Sequence, residues 1–322
     1  MHTILPSLAP QINIVIPLYN EQAVFSALID RLRKVMAEND LSIEVILIDD
    51  GSRDQTPLLM QEVAYQDERF QCIYLSRNFG HQIALSAGLS YVNATEGIFI
   101  LDGDLQDPPE LLAEFYAYLS QGYDVVYAVR KKRKESLFKR LAYKVFYKTL
   151  KRISYIEIPL DSGDFSLVSR RVIDHLNAMP ENSRFLRGMR SWVGYKQIGV
   201  EYERHQRQEG DSKYSLKQLI ALAFNGIFNF SEYPIKFILN LGATVMTVSL
   251  GYFGFTLAKK VFWGDTPEGF TALLFVIILF GGIQLIALGL IGEYVLRIFF
   301  QVKGRPLFIV KERIYKKERT NG

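Results

Sequence analysis

Three carboxylates stand within six positions of one short stretch, "ILDGDLQDPPE" at residues 100–110: Asp102, Asp104 and Asp107. An apolar run, "GIFI", enters it from Gly97, so the acids fall where a buried strand should end. Like charges this close repel unless something positive lies among them. Aspartate oxygens with an amide nearby suit a hard divalent cation such as Mg2+ or Mn2+. Such a cation takes few protein ligands and completes its shell with substrate phosphate, so the chemistry predicted is a metal held for a diphosphate. Gly103 leaves room for a ligand to approach, and Pro108, Pro109 and Glu110 open the next helix.

Other short polar stretches follow apolar runs in the same way. Strands are expected at 12–16, 43–48, 71–75, 97–101 and 124–128, and helices near 21–39, 54–67, 80–93 and 108–121. After the strands come "PLYNE" (17–21), "DDGSRD" (49–54), "SRNFGH" (76–81), "DGDLQD" (102–107) and "RKKRK" (130–134). Apolar strands alternating with helices predict an α/β fold, a mostly parallel sheet covered on both faces. Ligands of such sheets bind beyond the carboxyl ends of the strands, where these stretches lie. Each alone also suits a turn or helix cap. No G-x-G-x-x-G follows the first strand and no G-x-x-x-x-G-K-[ST] occurs, which removes two routes to phosphate binding. No H-E-x-x-H or Cys/His cluster suggests zinc, and nothing in the sequence singles out one of the four histidines as a base.

Beyond residue 233 the composition changes. Residues 235–258 carry one charge, Lys236, and residues 271–292 carry none. About 20 apolar residues cross a bilayer, and globular helices are rarely apolar on every face, so two membrane spans are expected. The basic C-terminal stretch outweighs the two lysines of the connector, which predicts that both chain ends are cytoplasmic and the protein is integral to the inner or plasma membrane. The opening "MHTILPSLAP" lacks the basic start and apolar core of a secretory signal, and the single Cys72 fits a reducing compartment. The expected organisation is a catalytic domain over 1–215, a juxtamembrane helix at 216–233, two spans within 234–299 and a basic tail at 300–322. Small residues in "GGIQLIALGLIG" let helices approach closely, which is compatible with a homo-oligomer.

Residues 130–152 hold eleven Lys or Arg and one acid, Glu135. Phe138, Leu141, Ala142, Val145, Phe146 and Thr149 recur at helical spacing, which predicts an interfacial helix near 136–152 lying among anionic head groups. A solvated basic face is the plainer reading. Nucleic acid is not expected beside two spans and an acidic sheet edge. A phosphate on a lipid tail fits instead, with Arg130, Arg140, Arg207 and Lys213 as its cationic contacts.

"IVIPLYNE", "ILIDDGSRD", "SRNFGHQIALSAGL" and "ILDGDLQDPPE" resemble, in order and spacing, the family-2 glycosyltransferases of the GT-A fold. "DSGDFSLVSRR" (161–171), "RQEGDSKYS" (207–215) and residues 292–310 extend the resemblance toward the polyprenyl-phosphate glycosyltransferases, the branch of dolichyl-phosphate mannose synthase and the bactoprenol glucosyltransferases. The resemblance implies a GT-A, Rossmann-like sheet and an inverting transfer of a hexose from a nucleotide sugar to polyprenyl phosphate. UDP-glucose is the first expectation for the donor, with GDP-mannose or a UDP-aminoarabinose-type sugar as alternatives. It makes Asp102, Asp104 and Gln106 the metal site. It places Pro17, Tyr19, Glu21 and either Asp49 or Asp50 around the nucleotide. Asp164 is open between orienting a substrate and a structural role, and Arg130 and Arg207 join the catalytic set. A polysaccharide synthase would resemble a Q-x-x-R-W pattern with more spans. A non-catalytic nucleotide-sugar-binding scaffold has no need of clustered acids.

Overall fold

The computed structural model describes residues 9–130, 162–203, 233–263 and 269–321. Arg140, Arg207, Lys213, the expected interfacial helix and residues 216–232 lie outside the described residues. The chain divides into two compact units, an α/β sheet that includes the C-terminal residues and a pair of long helices.

The first half of the sheet unit alternates strand and helix as its apolar pattern predicts. It runs β1 (Ile12–Leu18), α1 (Gln22–Glu38), β2 (Ile43–Asp49), α2 (Thr56–Gln66), β3 (Phe70–Leu75), α3 (His81–Ser90) and β4 (Gly97–Ile100). A 3-10 turn at Pro109–Leu111 leads into α4 (Leu112–Ser120), so the paired prolines do open a helix. Next come β5 (Val125–Arg130), β6 (Ser162–Ser169), α5 (Arg170–Ala178), α6 (Leu186–Val193) and β7 (Gln197–Tyr202). Every residue of β1, β3 and β4 is buried, as strands covered on both faces must be. Helix α1 buries Phe25, Leu28, Ile29, Leu32 and Met36 at three- and four-residue spacing, the stripe that seats it on the sheet.

Strand order explains which residues can meet. The sheet reads β7-β5-β6-β4-β1-β2-β3-β8-β9, where β8 (Val310–Tyr315) and β9 (Glu318–Asn321) come from the end of the chain. Strands β4, β1, β2 and β3 are parallel, so their carboxyl ends share one edge. Strand β6 runs antiparallel to β4, with Ile100 opposite Ser166, and delivers its first residues to that same edge. Strand β5 lies antiparallel to β6 and ends there with Arg130. Strand β8 runs antiparallel to β3, with Leu75 opposite Val310, and therefore starts there too. The stretch expected as a basic tail thus includes a hairpin of the sheet, anchored by the fully buried Ile314.

The second unit holds α7 (Tyr233–Trp263) and α8 (Phe270–Val302). Each is long and apolar enough to cross a membrane, over Ile235–Phe262 and Leu279–Val302, and large apolar side chains such as Phe253, Leu285 and Ile286 lie exposed on them. A core helix of a soluble protein would bury these groups. Helix α8 continues past the charge-free run because Glu293 and Arg297, four residues apart, pair with each other at 2.9 Å.

One buried polar side chain ties the centre of the sheet to a turn. Asn13, fully buried in β1, accepts hydrogen bonds from the N–H groups of Asn93 (2.8 Å) and Ala94 (2.7 Å) through a single oxygen. Replacing it with Ala leaves two donors without that acceptor, a cost of about 2–4 kcal/mol. Asn13→Ala is therefore expected to lower the melting temperature of detergent-purified protein by several degrees, and an unshifted transition would show the bonds to be dispensable.

Candidate active site

The residues from Asp102 onward leave β4 with their side chains alternating outward and inward. Asp102, Asp104 and Gln106 are partly exposed, while Gly103, Leu105 and Asp107 between them are buried. This places the three residues expected at the metal on the open side. Asp104 accepts a hydrogen bond from the Gln106 backbone N–H (3.1 Å), which braces the turn. Asp107 serves elsewhere: buried to 1% exposure, it accepts the hydroxyl proton of Tyr202. Gly103 corrects the expectation attached to it. A Cβ there would lie 2.4 Å from Leu18 Cδ2, so the glycine makes room for β1 rather than for a ligand.

Positive charge does lie among the acids, and the sequence had not singled it out. His81, the first residue of α3, sets its Nε2 3.5 Å from an Asp102 oxygen and 3.6 Å from an Asp164 oxygen. Burial opposes protonation of this imidazole, yet Asp164 and Asp102 outweigh it and push its pKa up to about 9. Asp102 is pushed up to about 6 by burial and by the neighbouring Asp107, Asp164 and Asp104, with His81 opposing. Asp164 goes the other way. Burial alone would lift it, but Arg187, His81 and Arg190 hold it well below the usual carboxylate range. The two carboxylates at this edge are thus shifted in opposite directions.

Asp164 is also fixed mechanically. Gln82 donates to it through Nε2 (2.7 Å) while accepting the Leu186 N–H (3.0 Å), and Arg187 Nε lies 3.6 Å away. Arg190, 3% exposed, donates to Ser166 Oγ (2.8 Å), and burial pushes its pKa down to about 10. Arg187 and Arg190 stand three residues apart on α6, a helical spacing that could have flagged a cationic face there. Arg130, at the end of β5, is half-buried beside Tyr202, Asp107 and Asp102; burial disfavours its charge, but these neighbours raise its pKa.

At the ends of β1, β2 and β3 a cavity of about 460 Å³ opens, within the range of small-molecule sites. Tyr19 and Asp49 line it together with Arg77. Asp49 is buried, accepts the Ser52 N–H (3.0 Å), and has its pKa raised by that burial. Asp50 turns away. Both its oxygens accept backbone N–H groups, of Phe79 at 2.7 Å and Gly80 at 3.0 Å, so it holds the loop after β3 in place. Gly51 follows with φ 71°, and a Cβ on it would meet the Asn78 backbone nitrogen at 2.6 Å. Pro17 is buried inside β1, and Glu21 opens α1 with its N–H donated to Thr56 Oγ1 (2.9 Å). Of the five residues expected at the nucleotide, the cavity therefore brings together Tyr19 and Asp49.

The donor set fits a hard cation. Among the described residues no three carboxylates or imidazoles cage a metal by themselves. Two carboxylates, Asp102 and Asp104, on an open strand end suit an ion that takes its remaining ligands from substrate oxygens.

Residues 13–176 match the family described as Glycosyl transferase family 2. An uncharacterised glycosyltransferase of Bacillus subtilis (strain 168), YkcC, is 42% identical over 94% of this chain and 94% of its own. Another, sll0501 of Synechocystis, is 39% identical over 94% of this chain and 95% of its own. A prophage-derived bactoprenol glucosyl transferase of Shigella flexneri is 34% identical over 94% of this chain and 98% of its own. The chain, a GT-A-like α/β sheet with two apolar helices, therefore belongs to glycosyl transferase family 2.

Proposed function

We propose that this glycosyltransferase is an inverting membrane enzyme that moves glucose from UDP-glucose to a polyprenyl phosphate. The observation that carries the reading is the shared sheet edge, where the Asp102–His81–Asp164 cluster and Arg130 occupy one side and the Asp49-lined cavity the other. The bactoprenol glucosyl transferase relative supports a lipid carrier as acceptor. The exposed apolar helices support a substrate that stays in the bilayer.

In this reading Asp49 and Tyr19 bind the nucleoside and Asp102 and Asp104 hold Mg2+ or Mn2+, with Gln106 beside them. The ion, when bound, supplies positive charge against the leaving diphosphate. A phosphate oxygen of the lipid attacks the anomeric carbon, the bond to the diphosphate breaks, and UDP departs as the new glycosyl phosphate forms with inversion. Phosphate monoesters have a second pKa of about 6, so the nucleophile is already ionised near neutral pH and needs no strong base. A protonated His81 suits that reaction, because it can screen the carboxylates from an incoming dianion. Asp164 fixes the imidazole and orients the site. Arg130 meets the acceptor phosphate, and the sequence assigns Arg140, Arg207 and Lys213 to the same group.

The fold supports an even number of membrane crossings between β7 and β8, since both belong to one sheet. With the basic flanks of the helices, this favours a cytoplasmic catalytic unit.

Three outcomes are expected. Asp104→Asn, assayed with labelled UDP-glucose, polyprenyl phosphate and Mn2+, should lose roughly a hundredfold or more in kcat, as chelation should in the parent. Unchanged transfer would remove the metal assignment, while UDP-glucose turnover that ignores added lipid phosphate would remove the acceptor. Asp49→Ala should raise KM for the nucleotide sugar about tenfold. Asp50→Ala, which strips two loop N–H groups of their acceptor where Asp49→Ala strips the Ser52 N–H, should lower the melting temperature further with less effect on KM, and a reversal of these two behaviours overturns the division of labour. The third concerns pH. A histidine whose pKa rises on folding stabilises the fold fully below its unfolded value of about 6.5. That stability is lost as pH rises through about 9. The melting gap between parent and His81→Gln should therefore shrink over this window, and a constant gap would mean that His81 is neutral in the fold.

A further inference from the structure

We propose that the hairpin β8–β9, which follows the two apolar helices, completes the donor pocket and binds the nucleoside diphosphate through Arg319 and Lys311. This rests on the reading of the 460 Å³ cavity as the nucleotide site. The register supplies the first argument. Asp49 lies opposite Tyr74 on β3, and Tyr74 lies opposite Glu312 on β8. Lateral neighbours in a sheet point to the same face, so this row spans three strands beneath one cavity wall. The Ser76 N–H, just past β3, donates to the Ile309 carbonyl (2.9 Å), which pins the start of the hairpin at the pocket edge. Asp49, Tyr74, Lys311, Glu312 and Arg319 all line the cavity.

Charge supplies the second argument. Four cationic residues, Arg53, Arg77, Lys311 and Arg319, line the cavity with two acidic ones, Asp49 and Glu312. Arg319 NH2 lies 2.5 Å from Glu312 Oε2; the carboxylate side chain is 12% exposed, while the arginine side chain stays 49% exposed at the cavity. A hairpin held only for packing needs no surplus of positive charge on this wall. A diphosphate does, and arginine forks match its oxygens. The chain therefore passes through both long helices before supplying part of the site that its first strands begin.

Titration of UDP into the full-length, detergent-purified protein tests this, with melting in the absence of nucleotide as the folding control. Arg319→Ala and Lys311→Ala should each weaken UDP binding about tenfold, with the nucleotide-free melting temperature unshifted in Lys311→Ala. Glu312→Gln separates a ligand contact from a staple. If Arg319 serves the nucleotide, releasing it from its carboxylate keeps or tightens UDP binding; if the pair only fastens the hairpin, Glu312→Gln weakens binding as Arg319→Ala does, and the proposal fails. Should Arg319→Ala not fold, Lys311→Ala and Arg319→Lys carry the same comparison. UDP affinity within twofold of the parent in the hairpin variants, with Asp49→Ala weakened, overturns the hairpin's role alone. Equal affinity in Asp49→Ala as well overturns the nucleotide reading of the cavity.

Discussion

Asp102, Asp104, Asp107 and Asp164 crowd the carboxyl edge of one sheet, and their mutual repulsion must be offset for the edge to fold. Inside a protein the repulsion is stronger than in water, because little solvent screens it. Three arrangements relieve it here. His81 sits between Asp102 and Asp164, Arg187 and Arg190 flank Asp164 from α6, and Asp107 turns inward to Tyr202 and Arg130. Asp102 and Asp104 are left on the open side. The protein's own cations thus offset the buried part of the cluster, and Asp102 and Asp104 are the partly exposed carboxylates that the proposed function gives to a metal ion.

That arrangement depends on two reversals of strand direction. A wholly parallel sheet would bring only the ends of β1 to β4 to this edge. Because β6 runs against β4, Asp164 arrives beside Asp102 although 62 residues separate them in sequence. Because β8 runs against β3, the hairpin from the far side of the two helices reaches the same edge. Rigid strands place these groups more reproducibly than loops of the same length would.

The strand-end rule made much of this readable from sequence. The apolar runs located β1 to β5 within a few residues, and the polar stretches after β1 to β4, with Arg130 after β5, do share one edge. The shared outward side of Asp102 and Asp104 was legible from their places on either side of Gly103, and Gln106 came in only through the resemblance. What escaped depended on tertiary pairing. Asp49 and Asp50 are adjacent and identical in chemistry, and only the position of the Phe79 and Gly80 N–H groups separates them. His81 looks like an ordinary first residue of a helix until β6 sets Asp164 against it. Gly103 was legible as a close approach, but the sequence does not say that the approaching atom belongs to Leu18. The C-terminal basic residues read as a tail because the charges of "VKERIY" mask a strand whose anchor is a single buried Ile314.

The protonation pattern bears on which acceptor the site can serve. Transfer to a sugar hydroxyl calls for a base that removes a proton near neutral pH, and His81, which two carboxylates push toward its protonated form, suits that task poorly. Asp164, held far below the carboxylate range, is a weak base as well. Asp102 has the higher proton affinity of the two, but as a metal ligand it would be committed to the ion. An acceptor that arrives ionised removes the requirement, and a phosphate monoester does so. Under the proposed transfer, His81, Arg130 and Arg187 are the cationic residues at this edge that could meet such an acceptor. On that proposal the charges that let the acids fold together also favour a phosphate nucleophile over a hydroxyl.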